Sequence, residues 1–302
     1  MKIVMLADQK RLHLQHGPID LVIEAFGSQV EIAKAYYRAS QRFATILEEL
    51  AGELPLLRSP VKADTALPVG AIARAMRVAV DPHMAEFITP MAAVAGAVAD
   101  EILQVLCRGG KLDKAYVNNG GDIALYVNPQ SDASLRTGIV ANPLTGELVT
   151  TATIRPDTAV KGIATSGRHG RSHSFGIADA VTVFAANAGV ADAAATIIAN
   201  KVDLPCCQQI ERQPADQLSP DSDLGARPVT IRVGQLTRHE TITALTAGQK
   251  KAESLCRAGV IKAAFLCLGG MSRIVDWSID PSSAFAPHLL SQPITQDRIA
   301  HA

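Results

Sequence analysis

Three short segments carry residue types that could bind a ligand, an anion or a metal ion. The first reads Asn-Asn-Gly-Gly-Asp over residues 118–122. Glycines let backbone N–H groups approach a ligand closely, while the amides and the carboxylate add donors and an acceptor. The same pattern is also typical of a hairpin with a glycine bulge, and it lacks the GxGxxG fingerprint. The candidate ligand-binding residues here are Asn118, Asn119, Gly120, Gly121 and Asp122.

The second segment, residues 162–174, is rich in glycine, hydroxyl groups and cations. Its GxxxxG spacing resembles a P-loop, but Arg168 stands where that motif requires lysine, and His169 where it requires Ser or Thr. We therefore interpret the segment as an anion-binding loop, with a solvated basic surface loop as the alternative. His173 is a candidate general base. The candidate ligand-binding residues are Thr165, Ser166, Gly167, Arg168 and Arg171.

The third segment predicts a metal site. Asp192 and Thr196 are four residues apart in a helical pattern, so both side-chain oxygens lie on one helix face. A carboxylate and a hydroxyl suit a hard cation such as Mg²⁺, with carbonyls, water or substrate phosphate completing its ligands. Alternatively, Asp192 only stabilises the first helical turn through the macrodipole, and Thr196 is incidental.

The composition indicates a globular protein. The chain has 302 residues, 48% hydrophobic and 19% charged, with 29 basic and 29 acidic side chains. A balanced charge argues against a nucleic-acid partner. The longest apolar stretch, 91–99, is too short to span a membrane, and the N-terminus does not resemble a secretory signal. The odd count of five cysteines, without a signal peptide, favours reduced thiols and a cytoplasmic location. The sequence has no CxxC pair, which argues against a structural zinc site.

The surrounding pattern supplies elements to position these segments. Ser28 predicts a helix start by a capping box with Glu31, and Thr89-Pro90 predicts another. Strands and helices follow one another in a mixed order, which favours an α+β fold over a doubly wound one. The predicted strands are 19–26, 115–118, 123–127, 180–185, 229–233, 261–268 and 273–277. The predicted helices are 91–105, 190–200 and 246–257, with loops or turns at 55–68, 142–146 and 208–226.

In chain order, these segments resemble the ApbE family of flavin transferases. That family's pattern runs VNxGG(D/E)I, ATSG, SHI, VTV and ADALAT. This chain carries similar motifs at 117–123, 164–167, 172–173, 181–183 and 191–196. The resemblance is good over residues 116–200 and looser elsewhere. It implies an α+β fold of antiparallel sheets with packed helices.

The resemblance also implies a chemistry. FAD would be cleaved at its pyrophosphate and FMN transferred to a Thr or Ser hydroxyl of an acceptor protein, with AMP released and Mg²⁺ required. Asp192 and Thr196 match the family's metal ligands, and His173 matches the histidine near the reacting phosphate. The stretch after His173 is shortened, and no lipid-anchor cysteine lies near the N-terminus. The segments 12–18 and 89–100 are not typical of the exported transferases and resemble the cytoplasmic branch of the superfamily, found in bacteria and methanogenic archaea.

Two other functions stay open at this point. One is a flavin- or nucleotide-binding protein without turnover, which the shortened stretch after His173 favours. The other is an accessory enzyme of pterin or one-carbon cofactor biosynthesis. We expect residues 1–280 to form a single ApbE-like unit, with room for two closely packed subdomains, and residues 281–302 to form a poorly packed tail.

Overall fold

A computed structural model describes residues 1–142 and 146–276. Within them the strands are β1 Lys2–Met5, β2 Leu12–His16, β3 Ile19–Gly27, β4 Leu112–Asn119, β5 Asp122–Val127, β6 Leu135–Asn142, β7 Glu147–Ile154, β8 Gly162–Ser166, β9 Ala180–Ala185, β10 Ile210–Pro214, β11 Pro228–Val233, β12 Ala263–Leu268 and β13 Met271–Asp276. The α-helices are α1 Gln29–Gly52, α2 Leu54–Leu57, α3 Ala71–Val80, α4 Val94–Leu106, α5 Ala188–Lys201, α6 Ala215–Leu218 and α7 Arg238–Arg257.

A single nine-stranded sheet runs through the described part of the chain. Its order is β1-β2-β3-β4-β5-β8-β9-β12-β13, and every neighbouring pair is antiparallel. The pairs β6–β7 and β10–β11 form separate two-stranded sheets. This arrangement of antiparallel sheets with packed helices confirms the predicted α+β class.

The helices pack along one face of the large sheet and bury two apolar clusters. One cluster lies around Phe43 of α1 and Ile102 of α4, and the other around Ile198 of α5 and Leu266 of β12. The β6–β7 hairpin covers part of the opposite face, where Ile139 packs with residues of β5, β8, β9 and β12. The candidate site lies at the end of the sheet, between these two layers.

Helices α4 and α5 cross at very short distance because Gly96 of α4 carries no side chain. A Cβ there would overlap the Ala188 carbonyl of α5. The Asp100 carboxylate of α4 accepts hydrogen bonds from the Ala188 and Gly189 N–H groups, at 3.0 and 2.8 Å. The Asp192 carboxylate of α5 in turn accepts from the Gly96 N–H at 3.1 Å. Each helix therefore satisfies N-terminal donors of the other, which fixes both N-termini side by side.

Several elements differ from the sequence predictions for local reasons. The last helix begins at Arg238 rather than at 246, because Thr237 and Glu240 form a capping box upstream. The segment after Thr89 begins as a 3-10 turn, and the Thr89 hydroxyl donates to the Asp223 carboxylate rather than capping α4. The predicted loop at 55–68 contains part of α2, and the predicted excursion at 208–226 contains β10 and α6.

Other predictions are not resolved by the described residues. The expected turn at 142–146 falls partly, and the tail at 281–302 wholly, outside them. The division into one unit or two subdomains stays a prediction. Among the described helices, none combines the length and the apolar character that crossing a membrane requires.

Candidate functional site

A cavity of about 600 Å³ lies where the ends of β4, β5 and β8 meet the N-termini of α4 and α5. Its size is within the usual range for small-molecule sites. One part of its lining is polar and comes from the sheet ends and α5. The other part is aliphatic and comes mainly from α1, α2 and α4. The cavity is therefore suited to a ligand with one polar and one apolar portion.

Most of the candidate residues predicted from the sequence line this one cavity. They are Asn119, Gly120, Gly121, Asp122, Thr165, Ser166, Gly167, Arg171, Asp192 and Thr196. The lining does not include Asn118, Arg168 or His173. The three sequence segments are thus neighbours in space, although more than 70 residues separate Asp122 from Thr196 in the chain.

The segment 118–122 forms a tight hairpin turn whose backbone faces the cavity. Asn119 and Asp122 are paired across β4 and β5, and Gly120 and Gly121 between them have φ of 66° and 113°. Such values strain residues with a side chain, so the turn needs glycine. The Asn118 amide oxygen accepts from the Gly121 N–H at 2.8 Å, which holds the turn from outside the cavity. The hairpin and ligand-facing interpretations are therefore compatible.

Thr165 and Ser166 belong to β8, not to a loop. The Thr165 N–H donates to the Asp122 carboxylate at 3.3 Å, and its hydroxyl lies 2.9 Å from that of Thr182 on β9. The chain leaves the sheet at Gly167, where a Cβ would crowd the Asp179 carbonyl oxygen at 2.6 Å. Strand pairing thus fixes the hydroxyl groups at the cavity wall, and glycine permits the turn beside them.

Asp122 and Asp192 place two carboxyl groups in the cavity lining. Burial raises the pKa of Asp122 to about 7. Burial, followed by the charge of Asp122, raises the pKa of Asp192 well above its ordinary value. The protein alone therefore stabilises neither group well as an anion. A cation between them would offset the free energy that is needed to ionise two buried carboxyl groups.

The donor types fit a hard divalent cation. Asp122 and Asp192 supply carboxylate oxygens, and Thr196 adds a hydroxyl one helical turn beyond Asp192. Across the described ranges, no group of three or more His, Cys, Asp or Glu side chains is arranged to hold a metal ion. A cation here would therefore depend on carbonyls, water or ligand phosphate for the rest of its shell.

Arg168 has a different environment from the one predicted for it. Its Nε and Nη2 donate to the Asp179 carboxylate at 2.9 and 2.6 Å, and the other oxygen of Asp179 accepts from the Gly269 N–H at 2.6 Å. Arg168 thereby fastens the 167–179 loop to the β12–β13 turn. Its predicted role in phosphate binding has no geometric support.

His173 also lies away from the cavity lining. It is exposed, and its Nε2 lies 3.2 Å from the Ser219 hydroxyl at the end of α6. By contrast, the neighbouring Arg171 does line the cavity, close to Gly120 and 3.9 Å from the Asp20 carboxylate. The loop thus places the positively charged side chain of Arg171 at the cavity, but not the ring of His173.

Two parts of the lining were missed from the sequence. One is the aliphatic wall, to which Leu47, Leu50, Leu54 and Leu57 contribute, together with Arg58 at its end. The leucines recur every three or four residues, so their spacing could have extended the helical prediction into 55–68. The other is the β6 strand, which adds Thr137, Gly138 and Val140. No local signal links that hairpin to the cavity.

A family model described as AbpE bacteria matches residues 3–274. The chain belongs to this family. The match confirms the ApbE-like superfamily that the five motifs predicted.

Two relatives of this chain come from methanogenic archaea. A UPF0280 protein of Methanosphaerula palustris is 44% identical over 118 residues, which is 38% of this chain and 47% of the relative. A UPF0280 protein of Methanothrix thermoacetophila is 33% identical over 195 residues, 62% of this chain and 75% of the relative. The chain therefore spans about half the length of the first of these relatives.

Solved structures give more distant matches. The apo form of Pseudomonas stutzeri flavinyl transferase ApbE is 14% identical, covers 91% of this chain and 94% of its own, and has a TM-score of 0.40. Flavin Transferase ApbE from Vibrio cholerae is 11% identical, with coverages of 89% and 97% and a TM-score of 0.37.

Proposed function

We propose that this protein is a cytoplasmic, Mg²⁺-dependent ApbE-like protein that acts on FAD, by FMN transfer or by pyrophosphate cleavage. The observation that carries the proposal is the convergence of three separate segments on one cavity. The glycine turn, the Thr165–Gly167 stretch and the Asp192–Thr196 pair all line it, beside an aliphatic wall. A phosphorylated flavin has the matching division into a charged and an apolar portion.

The polar side of the cavity can hold a phosphate group only together with a bound cation. The backbone N–H group of Gly120 and the guanidinium of Arg171 favour an anion there. The carboxyl groups of Asp122 and Asp192, in contrast, repel one. Bound Mg²⁺ would reverse this balance by neutralising both the carboxylates and a pyrophosphate. The mixed charge of the lining therefore supports a ligand that arrives with a divalent cation.

A second candidate function is flavin or nucleotide binding without turnover. Transfer to an acceptor hydroxyl needs a group that removes its proton, and His173 was the predicted base. The His173 ring instead contacts Ser219 outside the cavity lining. This position favours a binding protein, whereas the carboxyl groups beside the cavity favour an enzyme. The acceptor protein, the lack of a nucleic-acid partner and the accessory role in cofactor biosynthesis stay predictions.

Release of AMP separates the two candidates. The purified protein is incubated with FAD, Mg²⁺ and a threonine-containing acceptor peptide, and AMP is quantified by chromatography. The proposal expects AMP release that EDTA abolishes and that Asp192→Asn strongly reduces. The exposed Asp64→Asn variant is the matched control. Tight flavin binding without AMP release over hours would refute the enzyme and leave the binding protein. An absence of flavin binding would refute both.

A further inference from the structure

Arg58 is a charged side chain set into the aliphatic wall of the cavity. It follows α2 directly, and it is half-buried. The neighbouring lining residues from α1 and α2 are Leu47, Leu50, Ala51, Leu54 and Leu57, none of which offers a polar side chain.

The Arg58 guanidinium has no protein partner within the described residues, where neither a hydrogen bond nor an ion pair involves its side chain. The other arginines of this region differ. Arg168 is held by Asp179, and Arg171 lies 3.9 Å from Asp20. A guanidinium beside leucine side chains loses part of its hydration, and such charges are ordinarily paired. Arg58 is thus available to pair with a molecule bound in the cavity.

The charges of the cavity indicate which part of the ligand Arg58 meets. The ionisable side chains in its described lining are Arg58, Asp122, Arg171 and Asp192. The last three accompany the glycine turn and the α5 N-terminus, where phosphate and a cation are expected. Arg58 instead accompanies the aliphatic wall, which would cover the ring system of the ligand. Its planar group of N–H donors can also donate to a ring carbonyl oxygen.

We propose that Arg58 is the ring-recognition residue of this cavity. Its guanidinium donates a hydrogen bond to a carbonyl oxygen of the flavin pyrimidine ring, while the α1–α2 leucines cover the apolar remainder of the ring system. This inference rests on the proposed function, because it assumes that the ligand is a flavin. It adds a residue that selects the flavin ring independently of the phosphates.

Riboflavin tests this assignment because it carries the ring but no phosphate. Binding of riboflavin, FMN and FAD is measured by fluorescence titration for the native protein, Arg58→Ala and Arg171→Ala, with the exposed Arg108→Ala as control. Arg58→Ala should weaken all three ligands by the same factor, about ten- to a hundredfold for a lost charge-assisted contact. Arg171→Ala should weaken FMN and FAD but leave riboflavin nearly unchanged.

Two further measurements guard against a purely structural effect. The thermal midpoint of ligand-free Arg58→Ala should match that of the native protein. Arg58→Gln, which keeps an amide donor on a shorter side chain, should retain more riboflavin affinity than Arg58→Ala. The midpoint potential of bound flavin should become more negative in Arg58→Ala, because a cation beside the pyrimidine ring stabilises the anionic reduced form.

The outcomes separate this inference from the proposed function. If Arg58→Ala weakens only FMN and FAD, Arg58 is a phosphate contact and the ring assignment is wrong. Unchanged affinity for all three flavins also overturns it, while leaving flavin binding by the native protein intact. If the native protein binds no flavin, the proposed function and the ring assignment fail together.

Discussion

Removing the charge of Asp122 should stabilise the metal-free protein, and more so as the pH rises. Burial raises the pKa of Asp122 to about 7 from an ordinary value of 3.8. The folded state therefore holds a proton that the unfolded chain releases, and stability is lost as the pH rises from 3.8 towards 7. About three pH units at 1.36 kcal/mol each correspond to about 4 kcal/mol at pH 8, and to about 2 kcal/mol at pH 5. Asp122→Asn removes this penalty.

Thermal unfolding in EDTA at pH 5 and pH 8 measures the effect. At about 2 °C per kcal/mol for a chain of this size, Asp122→Asn should melt about 8 °C above the native protein at pH 8, and about half as much above it at pH 5. Asp64→Asn, an exposed carboxylate, should melt like the native protein at both. Mg²⁺ should then raise the midpoint of the native protein more than that of Asp122→Asn. If the melting temperatures of Asp122→Asn and the native protein differ equally at both pH values, the argument from burial is refuted. If Mg²⁺ raises the two melting temperatures equally, the cation site is refuted.

Three other substitutions test separate parts of the structure. Burial lowers the pKa of His83 to about 4, so the native protein should lose up to about 3 kcal/mol as the pH falls from 6.5 to 4. His83→Leu should abolish this loss in acid unfolding curves, and an unchanged acid midpoint would contradict it. Arg168→Ala should lower the melting temperature, because it removes the ion pair with Asp179, yet it should leave the affinity for FMN almost unaltered. A tenfold loss of FMN affinity in a fluorescence titration would show instead that Arg168 contacts the ligand. Gly96→Ala forces a methyl group against Ala188 and should cost about 1–3 kcal/mol in urea unfolding, together with weaker Mg²⁺ binding by calorimetry. Native-like values of both would show that the two helices can separate without affecting the cavity.

The elements that the sequence predicts well are those with local start and stop signals. Ser28 accepts a hydrogen bond from the Glu31 N–H, as the capping pattern predicts, and α1 then buries the apolar stripe that contains Phe43. The glycine pair at 120–121 marks the β4–β5 turn by its backbone requirement alone. In each case the deciding interaction lies within about four residues, so a single sequence contains it.

The parts that the sequence does not predict depend on contacts that form only when the chain folds. Arg168 looks like a phosphate ligand in a basic loop, and only the folded backbone brings Asp179 against it. By sequence, Arg58 resembles a surface residue in a proline-rich stretch. In the fold it lines the cavity, because α1 and α2 form the cavity wall beside it. The position of His173 depends on contact with Ser219, 46 residues away. The type of a residue indicates what its side chain can bind. The protein partner that the side chain meets in the fold decides whether it is free to bind a ligand.

The position of the cavity between two similarly ordered parts of the sheet explains why its residues are spread along the chain. Strands β2 and β3, helices α1 and α4, and strands β4 and β5 follow in one order, and β8, β9, α5, α7, β12 and β13 repeat it. Asp122 comes from the first set and Asp192 from the second, and the mutual hydrogen bonds of α4 and α5 hold the two sets together. The Asp192 carboxylate thus serves both helix docking and the candidate cation site. A cation that draws Asp192 away from the Gly96 N–H would change how the two helices meet, and it would thereby couple ligand binding to the packing of the two sets.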